Sequence, residues 1–247
     1  ERPLFSEEHS RKNLPSSKLI FCFSAIYVEN DPALKQLHFG NVFYGNSFRS
    51  FADRIKTMPI LPSEERILHG ADELFCRFGI KNVTMDDIAR HIGMSKKTIY
   101  LHFEDKNKIV MRLVELTIND HTEKFEAFVK TSKNAIEEIL HIMDYMRATF
   151  ARCNPNMYYD MQRFHPEAWQ IFRTFKEEKA FEQVMMNFEK ARQQGLYRKD
   201  FNSKILSRLR LEEVELGMNP SCFPPDKYNI HDVQVQLLDH FLHGVCT

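Results

Sequence analysis

The sequence is poor in the marks of catalysis. Its 247 residues hold no glycine-rich phosphate loop, no GxSxG elbow for a nucleophile and no HExxH pair, so no enzyme is expected. The five cysteines, Cys22, Cys76, Cys153, Cys222 and Cys246, are scattered, odd in number and without a CxxC pair. That pattern argues against a disulfide frame or a zinc ribbon and suits reduced thiols in a cytosol. The histidines His141, His165, His231, His240 and His243 are dispersed, and only His240 and His243 share a helix face. Surface or interface placement accounts for that pair, and neither a metal nor a cofactor is expected. No apolar run approaches the ~20 residues of a membrane span. The run from Leu19 to Val28 follows Lys18 as a signal segment would, but it has no convincing cleavage site, so a cytoplasmic protein without a membrane partner is expected. Formal charge is also missing: 34 basic residues meet 34 acidic ones, which speaks against a broad electrostatic coat on nucleic acid.

Against this background one stretch is rich in information. Residues 84–106 read as two short helices joined by a glycine turn. Thr84 is a good N-cap, with Asp87 three residues on as the acid of a capping box. Val83 and Ile88 have the spacing of a hydrophobic staple. Gly93 ends the helix where a left-handed residue is tolerated, and Ser95 caps the next one. Met94 and Ile99 repeat the staple. Ile99 and Phe103 are expected to point inward, leaving Lys96, Lys97, Thr98, Tyr100 and His102 outside. From Ile88 to Phe103 the cations Arg90, Lys96 and Lys97 meet no acid in the sequence. A focused basic patch of this kind suits one groove of a duplex, and the layout is that of a helix-turn-helix.

The preceding helix is equally clear. Pro62 and Ser63 mark its start, and Glu64 and Glu65 favour its positive end. Ile67, Leu68, Ala71, Leu74, Phe75 and Phe78 form its stripe, and Gly79 ends it. Asp105 can cap a fourth helix bearing Ile109, Val110, Leu113 and Leu116. Together Arg66–Leu68, Ala71, Leu74-Phe75, Phe78-Gly79, Thr84–Ala89, Gly93–Tyr100, Phe103 and Lys106 resemble the N-terminal domain of the TetR family of repressors, over about 45 residues without a gap. The resemblance implies an all-α fold, with an N-terminal three-helix DNA-binding domain (58–106) and a C-terminal helical domain (107–247) for effector binding and dimerisation. It further implies a homodimer on a palindromic operator of double-stranded DNA, released by a small-molecule effector of unknown identity. The alternative kept open is a helix-turn-helix regulator or architectural DNA-binding protein without an inducer.

Residues 1–57 lie outside the resemblance and lack sustained helical periodicity. Met58 stands just before the first family helix. Residues 1–57 are therefore expected to be irregular or not native, an extension ahead of a start near Met58; a genuine N-terminal arm contacting DNA is the alternative. Beyond the fourth helix, Asn134 opens a helix with the stripe Ile136, Ile139, Leu140, Met143, Met146 and Phe150, broken at Asn154-Pro155. After a short segment, Met157 to Phe164, a long helix runs from about Glu167 to Gly195. Asn202 can cap the next helix, and a Pro-rich loop from Asn219 to Asp226 precedes the last.

The resemblance also carries roles residue by residue. Lys96, Lys97, Thr98, Tyr100 and His102 match the exposed face of the recognition helix, with Ser95 at its start. Lysine can donate to guanine O6 and N7, and a threonine methyl can meet a thymine methyl. Tyr100 is expected on a phosphate, and His102 either reads DNA or packs. Thr84 and Lys106 match positions that hold phosphates. Family members often have glycine where Lys97 stands. In the C-terminal half, Met143, Met146, Phe150, Tyr158, Tyr159, Phe164, Trp169, Phe172 and Met185 are the expected pocket residues, since methionine adapts its shape and aromatics give wide apolar walls. A plain core is the competing explanation for the same stripes. Leu206, Leu209, Leu237, Leu238, Phe241, Leu242 and Val245 on the last two helices are the expected dimer interface.

Overall fold

The computed structural model describes residues 61–150, 153–154 and 156–247; the proposed extension 1–57 and the start at Met58 lie outside the described residues. Among the described residues ten α-helices follow one another: α1 (Pro62–Phe78), α2 (Met85–Ile92), α3 (Lys96–Tyr100), α4 (Lys106–Thr131), α5 (Ala135–Phe150), α6 (Met157–Phe164), α7 (Pro166–Phe175), α8 (Phe181–Gln193), α9 (Ser203–Gly217) and α10 (Ile230–Val245). A π-helical turn, Lys176–Ala180, joins α7 to α8. The long helix expected from Glu167 is thus one rod with an extra residue wound into its middle. No β-strand occurs among the described residues beyond a single bridge between Tyr197 and Cys246.

The helix ends follow from local chemistry. Thr84 and Asp87 form both halves of a capping box, and Gly93 ends α2 with φ 63° and ψ 37°, a left-handed conformation that glycine adopts without a Cβ penalty. Ser95 caps α3 by accepting from the Thr98 amide at 3.1 Å. Asp105 caps α4 at the Lys108 amide, 2.9 Å. Asn134 accepts from the Glu137 amide at 2.8 Å, and Asn202 accepts from the Lys204 and Ile205 amides. Each cap satisfies an amide that a helix start leaves without a partner.

Two apolar cores result. The larger runs from Ile67 on α1 to Phe175 on α7 and includes Val83, Ile88, Ile99, Phe103, Leu113, Ile118 and Met161. Residues of both proposed staples contribute to it: Val83, Ile88 and Ile99 are buried, and Met94 packs against the cluster. This core does not divide at residue 106, where α4 begins. The smaller core holds Ala135, Ile139, Phe188, Ala191, Tyr197, Leu238, Phe241 and Val245. Two expected stripe members point elsewhere. Phe78 is 45% exposed at the end of α1, beneath the Arg77 guanidinium. Leu140 is 43% exposed, because the inward face of α5 rotates to place Ala135, Glu138 and Ile139 inside.

Gly70 sets the spacing of α1 and α2. A Cβ at this position would stand 2.1 Å from Ile92 Cγ2, so only a residue without a side chain permits the approach. Arg66 secures the crossing by donating to the Ile92 carbonyl.

Candidate DNA-reading head and effector cavity

The short helix α3 is anchored to its neighbours by its one buried residue, Ile99. Lys96, Lys97 and Tyr100 are exposed, and Thr98 and His102 are partly exposed. Ser95 Oγ and Thr98 Oγ1 lie 2.8 Å apart, which fixes both hydroxyls on the helix's first turn. The cations are less free than their order in the chain implies. Lys96 Nζ lies 2.8 Å from Asp86 Oδ1, and Arg90 Nη1 lies 3.4 Å from Asp87 Oδ1. The turn at Gly93 brings Lys96 at the start of α3 back onto Asp86 of α2, and the Asp86 hydrogen bond raises the Lys96 pKa. Lys97 has no acidic partner among the described residues. Thr84 Oγ1 donates to Asp87 Oδ2 at 2.6 Å; this bond and the Thr84 amide hold the Asp87 pKa down.

Lys106 is placed differently from its expected role. Its ammonium donates to the carbonyl of Ile80 at 3.0 Å and of Val83 at 2.9 Å, and burial lowers its pKa. The side chain therefore ties the start of α4 to the α1–α2 connection. Two of its three N–H donors are committed inside the domain.

The second feature is an apolar cavity of about 250 Å³. Its walls come from α4, α5, α6, α7, α8, α9 and α10, with Phe75 and Ile80 at the DNA-head end. Of the expected pocket residues, Met143, Met146, Phe150, Tyr158 and Phe172 line it. Trp169, Tyr159, Phe164 and Met185 do not. Trp169 lies behind the wall, stacked on Phe172 with ring centres 5.5 Å apart. Tyr159 and Phe164 are surface residues, 36% and 40% exposed. Arg163 donates to the Tyr159 hydroxyl at 2.7 Å, because α6 buries Met157, Asp160 and Met161 and turns its other face outward. Met185 is half-buried on α8.

Polar groups that the sequence stripes do not reveal also face the cavity: His121, Gln183, Asn187, Lys176, Arg210, Glu215 and Gln234. His121 is 6% exposed, and burial pulls its pKa down to about 4. The Tyr145 hydroxyl donates to Asp120 at 2.6 Å, so it must accept from His121 Nδ1 at 2.8 Å; this fixes the tautomer of a neutral imidazole. Glu138 is buried as well, met by Lys190 at 2.7 Å and by the side-chain amides of Gln183 and Asn187.

Direct bonds join the cavity wall to the reading head. Asp160 on α6 accepts from the Lys81 amide at 2.9 Å. The Asn154 amide donates to the Cys76 carbonyl at 2.7 Å. At the junction of α6 and α7, His165 Nδ1 meets Asn107 Oδ1 of α4 at 2.6 Å. Burial and the nearby Lys106 charge keep the His165 pKa low.

The expected dimer residues divide. Leu238, Phe241 and Val245 are 8%, 5% and 2% exposed, enclosed in the protomer's own smaller core. Leu206 and Leu242 pack against that core, and Leu237 is half-buried. Leu209 alone is openly exposed, at 48%, in the company of Ile205 at 64%, Leu216 at 45% and Val235 at 44%. The sequence puts Ile205 in one helical stripe with Leu206 and Leu209, whereas Leu216 and Val235 escape such a reading, because an outward apolar face has the same helical spacing as an inward one.

Residues 67–113 match the model of the family described as bacterial regulatory proteins, tetR family. The chain is 22% identical over 184 residues to the uncharacterized HTH-type transcriptional regulator YvaF of Bacillus subtilis, spanning 74% of this chain and 95% of that protein. Its fold is similar to that of a transcriptional regulator of Saccharomonospora viridis solved in complex with choline, with a TM-score of 0.61 and 18% identity, over 74% of this chain and 96% of that one. It is also similar to Thermus thermophilus FadR, a TetR-family repressor solved with lauroyl-CoA, with a TM-score of 0.51 and 18% identity, over 73% of this chain and 93% of that one. No helix among the described residues is long and apolar enough to cross a membrane.

Proposed function

We propose that this chain, whose residues 67–113 match the TetR family model, is a cytoplasmic TetR-type repressor that binds a palindromic operator as a homodimer and leaves it when a small apolar or aromatic ligand fills the cavity. The single observation that carries this reading is the joint placement of a capped, exposed α3 and an apolar cavity reaching Phe75 and Ile80 of the same core. On DNA, α3 enters the major groove with Lys97 and Thr98 toward base edges, while Lys96, Tyr100, Ser95 and the start of α2 at Thr84 hold phosphates. Lys106 acts from behind by fixing the α1–α2 connection. His102 flanks the contact as a partly exposed neighbour.

One recognition helix reads only a half-site, so two copies are required. The exposed apolar face of Ile205, Leu209, Leu216 and Val235 is the proposed contact between them, and two-fold symmetry would set the two α3 helices about 34–36 Å apart. Release follows from connectivity. Met157, Tyr158 and Met161 line the cavity from α6, and Asp160 on that helix holds the Lys81 amide. A ligand that moves α6 therefore moves the loop that orients α2.

Selection from a random duplex library tests the reading. The expected product is an inverted repeat bound by two protomers. Failure to enrich any sequence, with folded protein, would count against it.

A further inference from the structure

The cavity carries a charge whose donors are poorly used. Arg210 on α9 is 3% exposed and lines the cavity. Its Nη2 reaches Met143 Sδ at 3.0 Å, a weak acceptor. Its Nη1 stands 3.6 Å from Glu213 Oε2, and both of those buried atoms lack a hydrogen-bond partner among the described residues. The Phe241 ring lies under the guanidinium, 5.3 Å from its carbon. Glu213 thus balances the charge without saturating the donors. A guanidinium presents a planar fork that fits carboxylate geometry, so an occupant able to accept from it would satisfy donors that the protein leaves underused.

The other charged groups of the wall point the same way. Among the described residues Arg147, Lys176 and Arg210 line the cavity against one carboxylate, Glu215. Lys176 already engages Glu215, and it also holds Glu212 at 3.1 Å. His121, on α4, is kept neutral by burial. The rest of the lining is overwhelmingly hydrocarbon, so the occupant must be mostly apolar.

Resting on the ligand-release reading above, we propose that the effector is an amphipathic anion, an apolar chain or ring system ending in a carboxylate that seats on the Nη2 edge of Arg210. The Nη1 edge stays with Glu213, so the two carboxylates occupy different sides of one guanidinium. Met143 gives way at Nη2; its unbranched thioether side chain can turn aside at little cost. The Gln234 side chain stands on the same wall with its Oε1 buried and unpartnered, ready to accept from a bound water beside the carboxylate. The choline bound by the Saccharomonospora viridis protein carries the opposite charge, so the sign of charge is the property that decides.

The test uses the full chain and three probes of one chain length: decanoate, decanol and decyltrimethylammonium. Trp169 is the only tryptophan in the chain, and it stacks on Phe172 of the cavity wall, so its fluorescence reports filling without DNA. At neutral pH decanoate should bind about tenfold or more tighter than either other probe. Arg210→Gln should erase that preference, and Arg210→Lys should keep part of it, with circular dichroism confirming the fold of both. The ranking in the unaltered protein stands as a test even if the glutamine variant fails to fold. Equal or tighter binding of decanol or the ammonium overturns the anion proposal while leaving the cavity reading in place. Binding by none of the three overturns both.

Discussion

Replacing Lys106 by methionine separates a brace from a DNA contact. The ammonium donates to the Ile80 and Val83 carbonyls at 3.0 and 2.9 Å. Methionine keeps most of the stem's volume and removes the donors. A hydrogen bond to a charged group contributes about 1.5–3 kcal/mol, and two are lost. Burial of the ammonium, which lowers its pKa, offsets part of this, and water can reach the half-open site. The expected loss is therefore about 1–3 kcal/mol, seen in urea titration as a lower midpoint with an unchanged slope. Operator affinity should fall only as far as the α1–α2 connection loosens, and the dependence of log affinity on log salt should keep its slope. A phosphate contact would behave in the opposite way: stability unchanged, and the salt slope shallower by about 0.9. That second pattern would refute the brace.

Three further outcomes follow from other contacts. His121 is neutral when folded, with a pKa near 4 against 6.5 for an ordinary histidine; the unfolded chain takes up the proton first, so stability should fall as pH drops from about 6.5 toward 4. At about 1.4 kcal/mol per pH unit the loss is about 3 kcal/mol, and His121→Phe should flatten that part of the urea midpoint-versus-pH curve; an unchanged curve would count against a buried neutral imidazole. Gly70→Ala should destabilise the reading head by about 1–3 kcal/mol through overpacking against Ile92, with partial rescue by Ile92→Ala in the double variant; additive losses would show that the two residues do not meet. Leu209→Asp should convert dimer to monomer in sedimentation with little change in secondary structure, whereas Leu238→Asp should unfold the protomer, since Leu238 is 8% exposed within its own core; a monomeric, folded Leu238→Asp would reverse that assignment.

The caps and staples of the reading head are legible in the sequence because they depend on neighbours within five residues. Thr84, Gly93, Ser95 and Asp105 each act through such local bonds. The partners of Lys96 and Lys106 are not legible. Each is set by how helices fold over one another, and a charge in a sequence does not say which acid or carbonyl it will meet. The cavity is half legible: Met143, Met146, Phe150, Tyr158 and Phe172 line it, but hydrophobic periodicity cannot tell a wall facing a void from a wall facing another side chain, as Trp169 shows. Buried His121, Glu138 and Arg210 escape such a reading altogether, since polar residues on an apolar face become visible only when their partners from other helices are in place. The same limit explains Leu238, Phe241 and Val245, whose stripe packs into the chain's own smaller core.

Lys97 offers the most direct test of the central claim that α3 reads DNA. Binding of the selected duplex should be measured for the unaltered chain and for Lys97→Ala, across base substitutions in each half-site and across salt. Lys97→Ala should bind more weakly and lose about 1–3 kcal/mol of discrimination at one base pair of each half-site. Unchanged affinity and unchanged discrimination would remove Lys97 from the bases and contradict its assignment as a base-reading residue of α3.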